Sequence, residues 1–142
     1  MNVKATEQPD PSGLAEQVLP ALVEAGTSAI ALMNLRTMRG EGIDDQQMKA
    51  YSKGYAKRKA GPTDTRNLTV SGSMMRSLHL ESVRAEGSTA TVVIGFSNAE
   101  DKRKAEWNEK ISPWFGASPA DRQIIIKQLQ ARLGKSIQES KR

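Results

Sequence analysis

Apolar residues recur at intervals of three and four from Leu14 through Val18, Leu22, Val23, Ala25, Ala29 and Ile30 to Met33. That period predicts a long helix, with Ser12 as its cap and Glu16 in its first turn. Pro20 lacks an N–H and is expected to kink it, and Gly26 weakens it further. Gly40 and Gly42 stop it by Arg39. From 40 to 66 no apolar period is sustained, and Gly, Asp, Gln and Lys predict a long exposed loop. Alternation resumes with Leu68 and Val70, a short strand, and breaks at Ser71-Gly72-Ser73 before Met74, Met75 and Leu78, which share helical spacing.

A glycine ahead of a helix start can offer backbone N–H groups to an anion. The same break also reads as a structural corner, with the two methionines and Leu78 packed under a sheet, and this second reading is preferred. Leu80 and Val83, then 91–96, alternate as two strands about Glu86-Gly87-Ser88, an antiparallel hairpin. Asn98 caps a charged helix in which Ala99, Lys102 or Arg103, and Trp107 share one face. Ser118, Pro119 and Asp121 together mark the start of a last helix through Ile124, Ile125, Leu129 and Leu133. The predicted organisation is a flexible arm over 1–12, one domain over 13–134 and a basic tail over 135–142.

Composition narrows what this scaffold can do. The 142 residues are 37% hydrophobic and 4% aromatic, a thin core that favours burial against further copies. There is no cysteine, which excludes disulfides and thiolate metal sites, and a single histidine, His79. No run suggests a membrane span and the N-terminus lacks the apolar stretch of a signal peptide, so a cytoplasmic setting is expected. The net charge of +5 alternates along the chain: −3 over 1–30, +4 over 31–60, −1 over 61–100 and +5 over 101–142. Such alternation suits docking against surfaces of different sign as well as it suits nucleic acid.

Catalysis finds little to work with. The adjacent acids Asp44-Asp45 and Glu100-Asp101 sit where turns and helix starts place acids anyway. His79 lies at an element junction without a partner at readable spacing, and Ser71-Gly72-Ser73 is not a nucleophile elbow. No catalytic residue, cofactor or metal is expected. The basic run "KGYAKRK" supplies Lys53, Lys57, Arg58 and Lys59 beside Tyr51 and Tyr55, a candidate contact to phosphates or to a protein partner. Met74, Leu78, Trp114 and Phe115 are candidate structural anchors; the aromatic pair either ties the last helix to the sheet or forms an exposed plug for a partner.

The order of these pieces resembles the virion-morphogenesis family of tailed bacteriophages. Arg36-Thr37, Ile43-Asp44, "YSKGYAKRK" (51–59), "NLTVSGSMMRSL" (67–78), "VVIGFSN" (92–98), Ala105 and Asn108 in the following helix, and "PWFGASPAD" (113–121) fall in the family's sequence. The chain departs from the pattern after Asp44, where Asp45-Gln46-Gln47 replaces an Asn-Gly or Asp-Gly turn, and it carries two extra residues between Thr37 and Asp44. The resemblance implies an α+β fold with a long N-terminal helix, a small antiparallel sheet and C-terminal helices packed on one face. It also implies a neck, tail-completion or head–tail joining protein that forms a homo-oligomeric ring around the DNA channel. Its partners would be a portal-side adaptor and tail proteins, with non-specific contact to genomic DNA, and its place would be the virion after assembly in the host cytoplasm. The alternative is a small basic DNA-binding accessory protein acting through 53–59 and the tail.

Overall fold

A computed structural model of the chain describes residues 2–6, 14–50, 73–86 and 89–140, with side chains described over 18–50, 73–85 and 89–134. The elements in chain order are β1 (Asn2–Thr6), α1 (Leu14–Met38), α2 (Ser73–Arg76), β2 (Leu78–Glu86), β3 (Thr89–Phe96), α3 (Ala99–Ile111) and α4 (Pro119–Ser140). The fold is α+β, with a long N-terminal helix against an antiparallel sheet and helices closing the C-terminal half.

The sheet is built around β3, which pairs antiparallel with β1 on one side and β2 on the other. Strand β3 buries Ala90, Val92 and Ile94 at the two-residue period of a pleated strand. Strand β2 keeps that period only in two halves: Leu78 and Leu80, then Val83 and Ala85. A register shift between Leu80 and Ser82 accounts for the slip, because it leaves Glu81 without an opposite residue and restores Val83 to Val92 and Ala85 to Ala90. Without it, the second half of β2 would turn its apolar side chains to solvent.

Helix α1 packs against the sheet and against α4. Val18, Ala21, Leu22, Ala25, Ala29 and Met33 are buried, a face of mostly small residues that lets the backbones approach. Gly26 marks the closest approach: a Cβ there would stand 2.6 Å from Leu80 Cδ2 and 3.0 Å from Val92 Cγ2. The helix therefore needs glycine where sequence reading saw only weakness. At its end, Gly40 takes φ 80° and donates to the Thr37 carbonyl, while Glu41 N–H donates to that of Arg36, a Schellman stop.

Several expectations are corrected. Asn2–Thr6, assigned to a flexible arm, pair with β3 from Asn2↔Val93 to Thr6↔Thr89. The alternation of Val3 and Ala5 with polar neighbours was too short to read as a strand. The first part of the 40–66 loop is folded: Gly42 and Gln46, then Met48 and Gly40, bond through their backbones and bring Met48 into the core. Leu78 begins β2 rather than continuing a helix, although it is buried as expected. Helix α4 continues through Gly134 to Ser140, so 135–140 belong to it and not to a separate tail. In α3 the buried face carries Asp101 and Ala105, whereas Trp107 is 59% exposed. The stretch Val18–Met38 also has a mean hydropathy of 1.5, long and apolar enough to cross a membrane by that measure. Alanine, glycine, serine and threonine between the larger residues conceal it from a search for an unbroken apolar run. The expected Leu68–Val70 strand and the Ser71 corner lie outside the described residues.

Candidate functional site

Arg36 is the sole charged residue between Glu24 and Arg39, and it is fully buried. Buried arginine must be paired and hydrogen-bonded, since the cost of taking its charge from water is several kcal/mol or more. Its guanidinium bonds Asp121, the Trp114 carbonyl and, at 3.0 Å, the Gly116 carbonyl. Thr37, next to it, turns its hydroxyl back to the carbonyls of Met33 and Asn34. One side chain from the end of α1 thus fixes the loop before α4 and the first turn of α4.

The start of α4 is held from three directions. Ser118 Oγ accepts from Asp121 N–H at 3.1 Å and Asp121 accepts from Ser118 N–H at 3.2 Å, a reciprocal capping box. Asp45, at φ 62° in the turn after α1, accepts from Ala120 N–H at 3.0 Å. A hydrogen bond from the Ser118 side chain, then that of Ala120 N–H, holds the Asp45 carboxyl below its ordinary value. Gly42 lies against the backbone of the same loop, with Ile43 N–H donating to the Pro113 carbonyl at 3.0 Å.

Trp114 and Phe115 complete this junction. Trp114 is fully buried, and its indole N–H donates to the Ala105 carbonyl of α3 at 3.3 Å. Both backbone N–H groups are accepted by the Glu109 carboxylate, at 2.8 and 2.9 Å. The rings of Trp114 and Phe115 sit 5.5 Å apart, and Phe96 of β3 lies 5.5 Å from Phe115 and 6.4 Å from Trp114. Trp114 is therefore an internal tie between α3, α1 and the sheet. Phe115 is only half-buried and lines an open groove of about 490 Å³ between α3 and the β2–β3 edge. Ile94, Phe96 and Ala105 share the groove's floor with Phe115, and Lys102 and Lys110 stand among its charged residues.

At the other end of α3, Asn98 caps the helix through Asp101 N–H at 2.8 Å, and Asp101 accepts in turn from Asn98 Nδ2 at 2.7 Å and Ser73 Oγ at 3.1 Å. The Asn98 bond first, and the Ser73 bond after it, hold the Asp101 carboxyl below its usual range. This joins α2 to α3, and Met74 and Met75 beside the junction are buried. Asp44 accepts from Gln46 N–H at 3.0 Å, and Glu100 meets Lys104 at 3.3 Å on the surface. His79 is exposed, its Nδ1 3.3 Å from the Ser77 carbonyl.

Of the candidate residues, Met74, Leu78 and Trp114 are in the core and Phe115 borders the groove, whereas Lys53, Lys57, Arg58 and Lys59 lie outside the described residues. Among the described residues no group of three His, Asp or Glu side chains gathers to hold a metal. Sequence reading missed Arg36 as the hub; the signal was one charge in an otherwise uncharged stretch. It also missed the large apolar residues left outside: Leu35 is 53% exposed, Met38 67%, Ile124 43% and Ile126 51%, besides Trp107. Comparison with protein-family models, with curated proteins and with solved structures finds no match.

Proposed function

We propose that the protein is a structural component of a tailed-phage particle, a neck or tail-completion protein that joins head and tail as an oligomeric ring around the DNA channel. The observation that carries this reading is the exposure of large apolar side chains on α1, α3 and α4 in a chain with few of them to spare. One of its two tryptophans stands outside, and a thin fold that leaves such residues uncovered gains by burying them against neighbours. The described polar residues give a second line of support. Arg36 and Ile43, both within the phage resemblance, bond the 113–121 segment, which belongs to it as well. The hydrogen bonds these residues make hold elements together, which suits a scaffold. Ring subunits meet by heterologous contacts, and the alternating charge along the chain favours closure. The portal-side adaptor and tail proteins would occupy the two rims.

Light scattering coupled to size exclusion, with negative-stain microscopy, tests this on the purified full chain with and without duplex DNA. Closed multimers that form without DNA are expected. A protein that never self-associates but binds duplex with sub-micromolar affinity at physiological salt would favour the DNA-binding alternative, since a merely basic surface binds at about 10⁻⁴ to 10⁻⁶ M.

A further inference from the structure

The outward side of α1 has a composition that neither the sheet nor α4 explains. A helix apolar on all sides belongs in an interior, yet α1 covers only one side of itself within the subunit. Pro20, Val23, Thr27, Ala31, Leu35 and Met38 are exposed, spaced three or four apart along about 27 Å of helix. Two charges accompany them, Glu24 toward the beginning and Arg39 just past the end; Arg36 points inward. Glu24 meets Arg132 of α4 at 3.5 Å and Arg39 meets Glu41 at 3.2 Å, both surface pairs of small worth that remain open to a further partner.

We infer that this face of α1 docks against the same face of a second copy, antiparallel, about a two-fold axis near Ala31. The charge arrangement selects both the occupant and its direction. With Ala31 opposite Ala31, Thr27 and Leu35 come together, polar Ser28 falls opposite Asn34, and Glu24 of each copy comes beside Arg39 of the other. Seven residues separate Glu24 from Ala31 and eight separate Arg39 from it, so both ends close on opposite charges at the same time. A parallel pairing in register would set Glu24 against Glu24 and Arg39 against Arg39. Antiparallel helix dipoles add to the preference. An isologous contact of this kind leaves the groove and Trp107 free for other contacts. The inference rests on α1 alone and stands or falls apart from the connector reading.

Because the chain has no cysteine, Ala31→Cys introduces a unique thiol on the proposed axis. Mild oxidation of the full-length variant is expected to give a disulfide-linked dimer on a non-reducing gel, while Arg103→Cys on the exposed side of α3 stays largely uncrosslinked. Charge reversal supplies the second readout. Glu24→Arg should weaken self-association in analytical ultracentrifugation at least tenfold, and adding Arg39→Glu should restore it, with circular dichroism unchanged throughout. Equal crosslinking of the two cysteine variants, or a double reversal no tighter than the single one, would overturn the inference. A full-length protein that sediments as a monomer at every concentration tested would overturn it as well.

Discussion

Arg36 and Asp121 are 85 positions apart, and the stability of the domain turns on their meeting. Removing one partner of a buried pair leaves a charge without compensation, which is far more damaging than removing both. Asp121→Asn keeps an acceptor for Ser118 N–H but abandons the guanidinium, and a loss of about 3–5 kcal/mol is expected in urea unfolding. Arg36→Met is expected to cost as much, because the carbonyls of Trp114 and Gly116 lose a donor too. In the double variant the second change should add less than about 1 kcal/mol. Additive losses would mean that the pair is not coupled. Acid titrates other carboxylates in the same architecture. Asp45 and Asp101 have folded-state values below the ordinary 3.8, so their hydrogen bonds stabilise the fold above that pH and are lost as pH falls through the lowered values. Asp101→Asn is therefore expected to lower stability at neutral pH and to flatten its decline below about pH 3.8, read from thermal midpoints across the acid range. An unchanged acid slope would show that Asp101 titrates alike in the folded and unfolded chains.

The helices, both strands of the hairpin and the cap at Ser118 were legible because each has a local cause: a 3.6-residue or two-residue period, or an oxygen placed to receive free N–H groups. The bulge at Glu81 was legible in principle, since apolar residues at 78, 80, 83 and 85 break the strand period once. Strand β1 and the folded 40–50 segment were not, because β3 and the 113–116 loop, both remote in sequence, hold them. The exposed helix faces were illegible for a related reason: Trp107 has the spacing of a buried residue, and only the placement of β3 and α2 decides which side of α3 is covered. Two glycines show how far context governs an element. Each sits inside a helix and each costs intrinsic helix stability of about 1 kcal/mol relative to alanine. At Gly134 an added Cβ meets nothing, so Gly134→Ala should gain roughly 0.5–1 kcal/mol. At Gly26 it meets Leu80 and the fully buried Val92, so Gly26→Val should lose about 1–3 kcal/mol by overpacking. Chemical denaturation of the two variants checks both signs, and a stabilising Gly26→Val would show that α1 and the sheet are not in close contact.

At the scale of the whole molecule, the interior is locked by the Arg36 junction while large apolar side chains stand exposed on α1, α3 and α4, and this division separates stability from assembly. Trp107 lies on the outer side of α3, away from Asp101 and Ala105, so replacing it removes little of the folded core. Trp107→Glu is expected to change the unfolding free energy by no more than about 0.5 kcal/mol, the usual range for a surface site. In a connector it should nevertheless abolish or sharply reduce multimer formation, because a charge is forced into a face that would otherwise be desolvated. The basic run provides the complementary arm. Changing Lys57, Arg58 and Lys59 together to Gln should leave multimers intact if DNA binding is incidental, and should reduce the salt slope of that binding by roughly one unit for each phosphate no longer neutralised. The two variants thus exchange phenotypes between the two readings. A Trp107→Glu protein that still forms full multimers, beside a triple variant that loses sub-micromolar duplex binding, would move the function from the particle's architecture to its DNA.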